Sequence, residues 1–297
     1  MAKALLLTSV APVAWGTTYV TTTELLPPDR PLFTAVVRAL PAGLALLALR
    51  RRLPGRGWWL RSAALAGCNF GLFFPLLFLG AYRLPGGLAA TVQATSPLVM
   101  MAFAYLLLHE RATPLRVMAA LVGLAGVAVL VMDPAAHLDT VGLTAAAGSV
   151  GASALGFVLV KRWPAPVDML TLTGWQLVLG GLMLVPVSVL VEGGAPELHA
   201  DAIVGYIWIG AVGTAVAYWC WFQGLQALPA GTVAMLGLLN PVTATILGVV
   251  AAGEDLRTNT VIGLLLVAGS VVAGQRRAGC FSFSPRRIVR RCGEAGA

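Results

Sequence analysis

Two kinds of residue in this chain have the type and placement to do chemistry. The first is a single charge inside an apolar run: Arg38, in AVVRALPAG (35–43). An arginine at the centre of a membrane-spanning helix costs about 2.5–3.5 kcal/mol on insertion scales, so its presence needs a reason. Either it attracts a carboxylate on a substrate, or it bonds the carbonyls of a neighbouring helix a couple of turns from the membrane edge. The second kind is a pair of prolines that interrupt otherwise continuous apolar stretches, Ser96-Pro97 and Asn240-Pro241. Proline donates no backbone hydrogen bond and crowds the carbonyl four residues back, here those of Gln93 and Gly237. Such faults are tolerated at membrane depth where they are buried in protein or face a wet cavity.

Aromatic residues recur at helical spacing around these positions: Phe70, Phe74 and Phe78, then Tyr218 and Phe222, with Trp219 and Trp221 alongside. With Trp15, Tyr19 and Trp175 they make an aromatic-lined cavity suited to amphipathic or cationic molecules one reading, and plain helix packing the other. The expected substrate contacts are therefore Trp15, Tyr19, Arg38, Phe74, Gln93, Ser96, Pro97, Trp175, Tyr218, Trp219, Asn240 and Pro241.

Other chemistries lack their residues. His109, His137 and His199 fall at the ends of apolar runs or in loops, and no HExxH or GxSxG occurs. No two acids share a face within an apolar run, so no catalytic residues, metal or cofactor are expected. GxxxxGK[ST] is absent, which argues against ATP hydrolysis. The four cysteines form neither CxxC nor zinc spacing. Gly67/Gly71 and GSVGASALG (148–156) read as small-residue contacts between helices.

The elements that must position these residues follow from composition. Of 297 residues 58% are apolar and only 11% charged, too little polar surface for a soluble globule of this size. About 20 apolar residues cross a bilayer core, and on that rule the chain holds ten spans, near 4–23, 31–49, 62–81, 86–107, 115–132, 140–160, 168–191, 203–222, 230–252 and 260–275. The net charge of +8 is not interleaved with a nucleic-acid reading motif, and no nucleic-acid partner is expected. With the N-terminus inside, 16 lysines and arginines fall on the cytoplasmic side and only Arg30, Arg83 and Arg257 outside. The positive-inside rule then places both termini in the cytoplasm. Six arginines of that count belong to the tail after residue 275, which is expected to meet anionic lipid.

The prolines belong to a repeat. LPGGLAATVQATSP (84–97) and LPAGTVAMLGLLNP (228–241) share Leu84, Pro85, Gly87, Ala90 and Pro97 with Leu228, Pro229, Gly231, Ala234 and Pro241, each 144 residues on. The same offset carries Gly80 to Gly224, Phe78 to Phe222 and Glu110 to Glu254, while Gly43 falls opposite Gly181 and Arg38 near Gln176. A duplicated unit of five spans, being odd, inverts its second copy in the membrane. Inverted pairs are an architecture of secondary transporters, with interrupted helices near the midplane marking the substrate site. The expected fold is thus all-α integral membrane, ten transmembrane helices as two inverted five-helix repeats, 1–134 and 135–275, followed by the basic tail 276–297.

Trp15-Gly16 in the first span, the second-span arginine, LPxG before the fourth and ninth spans, and helices ending in HER (109–111) or GED (253–255) resemble the EamA family of the drug/metabolite transporter superfamily. The resemblance covers roughly residues 5–275. It implies a bacterial inner-membrane exporter of small metabolites, often amino acids or their derivatives, pigments or drugs, and no enzyme. A drug or cationic-amphiphile exporter without amino-acid preference is the alternative. One pathway needs one chain, so a monomer is expected, with a homodimer the other possibility. Glu110 and Glu254, at span ends, read as helix-end residues rather than a proton relay.

Overall fold

The structure is a computed structural model describing residues 1–84, 86–131, 139–251 and 258–275, without the side chains of Tyr19, Thr23, Tyr82, Leu88, Val131 and Ala251. Pro85, His137, Glu254, Arg257 and the tail 276–297 lie outside the described residues. All regular structure among the described residues is helical. Among the described residues nine helices or helix pairs are long and apolar enough to cross a membrane. The stretch expected at 115–132 forms a shorter apolar helix, Pro114–Leu130. Bulky side chains such as Leu60 and Leu190 point outward, 82% and 85% exposed, where acyl chains would cover them.

The chain runs α1 (Ala2–Leu25), α2 (Pro31–Arg50), α3 (Trp59–Ala66), a π-turn (Gly67–Gly71), α4 (Phe73–Arg83), α5 (Gly86–Gln93), α6 (Ser96–Leu108) and α7 (Pro114–Val131). It continues through α8 (Thr140–Arg162), α9 (Met169–Glu192), α10 (Ala200–Gly210), a second π-turn (Ala211–Val216), α11 (Ala217–Ala227), α12 (Ala230–Leu236), α13 (Leu239–Ala251) and α14 (Thr258–Gln275). The π-turns, α4 and α11, α5 and α12, and α7 and α14 begin 144 residues apart. The spacing read from the LPxG motifs thus recurs in backbone geometry.

Packing has the same pairing. α2 lies on α9 and α7 on α14 as the most extensive contacts, while α4 on α8 has its counterpart in α1 on α11, and α6 on α8 in α1 on α13. Glycine sets the closeness of the first pair. A Cβ on Gly43 would stand 2.6 Å from the Val178 amide nitrogen, and one on Gly181 2.8 Å from the Leu40 Cβ, so two backbones meet where no side chain fits. The expectation for Gly67 and Gly151 differs from the outcome: neither has a neighbour to meet. Gly67 instead opens the first π-turn, where the Leu72 N–H reaches back five residues to its carbonyl at 2.7 Å. A widened turn of this kind re-aims side chains and carbonyls within a helix.

Carboxylates close the helix ends. Asp139 accepts from the Gly142 N–H (2.7 Å) and Asp168 from those of Leu170 and Thr171 (3.1 Å each), capping α8 and α9. The Gly142 N–H and then Arg83 hold the Asp139 carboxyl below its usual range. At Asp168 burial pushes upward, but the Thr171 hydroxyl and amide and Arg50 outweigh it, so this carboxyl also sits low. Two caps come from elsewhere in the chain, from the end of α9 and from the α6–α7 connection. Glu192 receives the Leu32 and Phe33 N–H groups at the start of α2 (2.6 and 2.8 Å), and Glu110 receives the Ala230 N–H at the start of α12 (2.8 Å) while pairing with Lys161 (2.5 Å). Glu110 is a helix-end residue in this sense, an anion on the positive end of a neighbouring helix dipole.

Candidate functional site

The helix breaks differ in detail from a proline inside a helix. α5 stops at Gln93 and α6 restarts at Ser96, which leaves Pro97 in the first turn of the new helix, where its missing N–H is no loss. The Thr95 hydroxyl donates to the Val92 carbonyl (2.6 Å) in the gap. In the second half α12 ends at Leu236 and α13 begins at Leu239. Here the Gly237 carbonyl is not freed: it accepts from the Asn240 N–H at 3.1 Å. Gly16 lets α1 lie against this break, since a Cβ there would sit 2.9 Å from the Asn240 carbonyl and 2.5 Å from the Thr243 Cβ.

Both breaks border one cavity of about 710 Å³. Gln93, Ala94, Ser96 and Pro97 form one part of its wall, and Gly237, Leu238, Asn240 and Pro241 another. The wall is completed by Trp15 and Thr18 of α1, Arg38 of α2, Phe73, Phe74 and Leu77 of α4, Ser153 and Phe157 of α8, and Tyr218 and Trp221 of α11, with smaller side chains between them. A volume of this size lies within the range of small-molecule sites, which are mostly apolar with few polar groups.

Arg38 is the charged member of that wall. It is 7% exposed, donates from Nε to the Thr214 hydroxyl (2.9 Å) and from Nη2 to the Gly213 carbonyl (3.1 Å), and its guanidinium carbon lies 5.1 Å from the Phe74 ring centre. Both hydrogen-bond partners belong to the second π-turn. Thr214 in turn donates to the Ile209 carbonyl five residues back (2.8 Å), and the Gly213 carbonyl also accepts from the Trp15 indole (3.1 Å). The widened turn thus holds the arginine and the tryptophan in one place. The Trp15 ring packs at a tilt 5.2 Å from both Tyr218 and Trp221, and Phe157 stands 5.5 Å from Trp221. Gln93 is fixed by a bond from its side-chain amide to the Ser149 hydroxyl (2.8 Å).

Nine of the twelve expected contacts lie on this wall: Trp15, Arg38, Phe74, Gln93, Ser96, Pro97, Tyr218, Asn240 and Pro241. The Tyr19 side chain lies outside the described residues. Trp175 stands elsewhere; its indole donates to the Arg52 carbonyl (2.6 Å) and its ring packs on Trp58 (6.4 Å), tying the end of α2 to α9. Trp219 is half-buried off the wall, because one residue along a helix from Tyr218 turns it by about 100°. Thr18, Phe73, Ser153 and Phe157 line the cavity without having been singled out, and Trp221, named among the aromatics but not among the expected contacts, lines it too. For Trp221 the signal was its position, three residues from Tyr218 and so on one face. Phe157 and Ser153 carry none, because the wall they join is made by α8 crossing α4 and α6.

The profile of the EamA-like transporter family matches residues 2–132 and again 140–273. The chain belongs to the EamA-like transporter family. Protein PecM of Dickeya dadantii (strain 3937) is 39% identical over 267 residues, 89% of this chain and 90% of PecM. The transporter YvbV of Bacillus subtilis (strain 168) is 28% identical over 87% of each chain. One solved crystal structure superposes with a TM-score of 0.78 at 23% identity over 94% of this chain and 98% of that one, a likeness of fold. This EamA-like chain is therefore a multi-pass membrane protein of a transporter family.

Proposed function

We propose that the chain is a secondary transporter that exports a small metabolite, an amino acid or a derivative, across the bacterial inner membrane. In this reading the ten helical spans form two inverted five-helix repeats, both termini are cytoplasmic, and alternating access exposes a midplane site between the repeats to either side. The observation that carries the reading is that the two helix breaks, Ser96-Pro97 and Asn240-Pro241, border the same cavity as Arg38. Interrupted helices at matching places in two halves are the expected markers of such a site. The recurrence of helix starts at 144 residues supports the duplication. The odd number of helical spans per half, counting the shorter α7, supports the inversion. The basic tail then lies on the cytoplasmic side against anionic lipid.

The test is efflux of a labelled panel of amino acids, their acetylated derivatives and cationic dyes from expressing cells, beside empty vector and the Asn240→Ala/Pro241→Ala double variant at matched membrane levels. Export of one compound that the variant fails to move is the expected result. Equal export by the variant would show that the breaks only shape packing. Selective loss of the dyes from the cells would favour the drug-exporter alternative.

A further inference from the structure

The charge on the cavity wall is one-sided. Arg38 borders it, whereas none of the described residues on the wall is an aspartate or glutamate. The ion pairs among the described residues are Arg50–Asp168, Arg83–Asp139 and Lys161–Glu110, so Arg38 has no anionic partner there. Of the five N–H donors of its guanidinium, two are engaged, both by neutral acceptors, the Thr214 hydroxyl and the Gly213 carbonyl. A buried cation satisfied only in part by neutral groups is unfavourable, and an anion entering the cavity relieves that cost. Arginine's planar fork is suited to a carboxylate in particular. Among the described residues the Trp221 indole N–H, a donor only, and the Thr18 hydroxyl, on the same wall, also lack partners.

A free ammonium fares the opposite way. It finds no carboxylate on the wall. In an α-amino acid it stands two bonds from the carboxyl carbon, so docking the carboxylate on the buried Arg38 brings two positive charges together beside a largely apolar wall, where their repulsion is screened less than in bulk water. Resting on the reading of this cavity as the transport site, we propose that its substrate is a net monoanion. It is a carboxylate whose nitrogen, where it has one, is acylated or otherwise uncharged, carried on a flat apolar body that packs among Trp15, Phe74 and Tyr218. The site therefore selects amino-acid derivatives over free amino acids.

The experiment uses the full-length protein, purified and reconstituted in liposomes at about pH 6, where an α-amino group is charged, with three probes that share one ring: N-acetyl-L-phenylalanine (anion), L-phenylalanine (zwitterion) and L-phenylalanine amide (cation). Binding is read from quenching of tryptophan fluorescence, and transport from uptake of label. The expected order is anion, zwitterion, cation in both readouts, with at least tenfold between the first two. Arg38→Gln abolishes the preference and Arg38→Lys restores part of it. Should Arg38→Gln fail to fold, the ranking on the unmodified protein decides alone. Transport in which the zwitterion or cation equals or exceeds the anion overturns the inference and leaves the transporter reading intact. Preferential binding of the anion without uptake supports the inference and sinks the transport reading. Failure of all three to bind or move overturns both.

Discussion

Two polar pockets occupy matching places in the two halves and have opposite characters. On α2, Arg38 bonds the second π-turn and borders the cavity. On α9, Gln176, 138 residues later, accepts a bond from the Asn69 amide (2.7 Å) on the first π-turn, and both side chains are fully buried away from the cavity wall. The same architecture, a long helix meeting a widened turn of its neighbour, is used once with a charge facing open space and once with neutral amides sealed in protein. The two scaffolds are alike; the cavity beside Arg38, which Gln176 and Asn69 do not border, is what separates them. The sealed pocket also carries its own cost, since Asn69 Oδ1 and Gln176 Nε2 have no hydrogen-bond partner among the described residues.

The strongest way to break the comparison is Gln176→Arg, which puts a cation where no cavity receives it. Loss of an uncompensated buried charge's hydration typically costs several kcal/mol, and folded protein recovered from membranes should fall severalfold, as read by size-exclusion profile. Arg38→Gln, which makes the first pocket like the second, has the next largest effect, and on function. We expect normal membrane levels, a stability within about 2 kcal/mol of the parent, and loss of substrate selectivity in a transport assay. Recovery of misfolded protein only would make Arg38 a structural residue. Third, Asn69→Ala leaves Gln176 Oε1 without its donor and should lower stability by about 1–2 kcal/mol, seen as a lower melting temperature in detergent, with selectivity unchanged.

The smallest effect lies at the end of the α9 helix that carries Gln176. Asp168→Ala removes an exposed cap, worth about 1 kcal/mol or less. Its carboxyl sits below the usual range in the folded protein. Its stabilisation is therefore complete above the unfolded value near ~3.9 and is lost as pH falls through the lower folded value. The melting difference between parent and variant should be constant from neutral pH to about 5 and close below about 4. A difference that does not shrink at all as pH falls below about 4 would show that packing, not charge, is what the aspartate supplies.

Much of this architecture is written in local sequence. Apolar runs of the right length, broken by ELLPPDRP and RRRLPGRG, specify spanning helices because lipid forces each backbone group to be satisfied within its own segment. Boundaries read this way hold to a few residues for α2 and α9 and miss by more where α10, the π-turn and α11 run on from Ala200 to Ala227. The LPxG repeat disclosed the paired breaks, because proline and glycine mark backbone geometry wherever they stand. The π-turns had no such mark. GCNFG and AVGTAV read as ordinary helix, and only contact with α8, α9 or α2 rewards the wider turn.

What the sequence determined by itself is therefore the set of helices, their breaks and the isolated charge, since each follows from a residue's own hydration or backbone chemistry. What only the tertiary structure decided is which side chains share a space. Trp15, Tyr218, Phe157 and Trp221 meet because α1, α8 and α11 pack together, while Trp175, as buried as Tyr218 and Trp221, is taken up by the Arg52 carbonyl instead. An indole is indifferent among such surroundings until its helix is placed. The reason is geometric: the fate of a side chain depends on the rotation of its helix and on the neighbour it meets, and neither is a property of the residue alone.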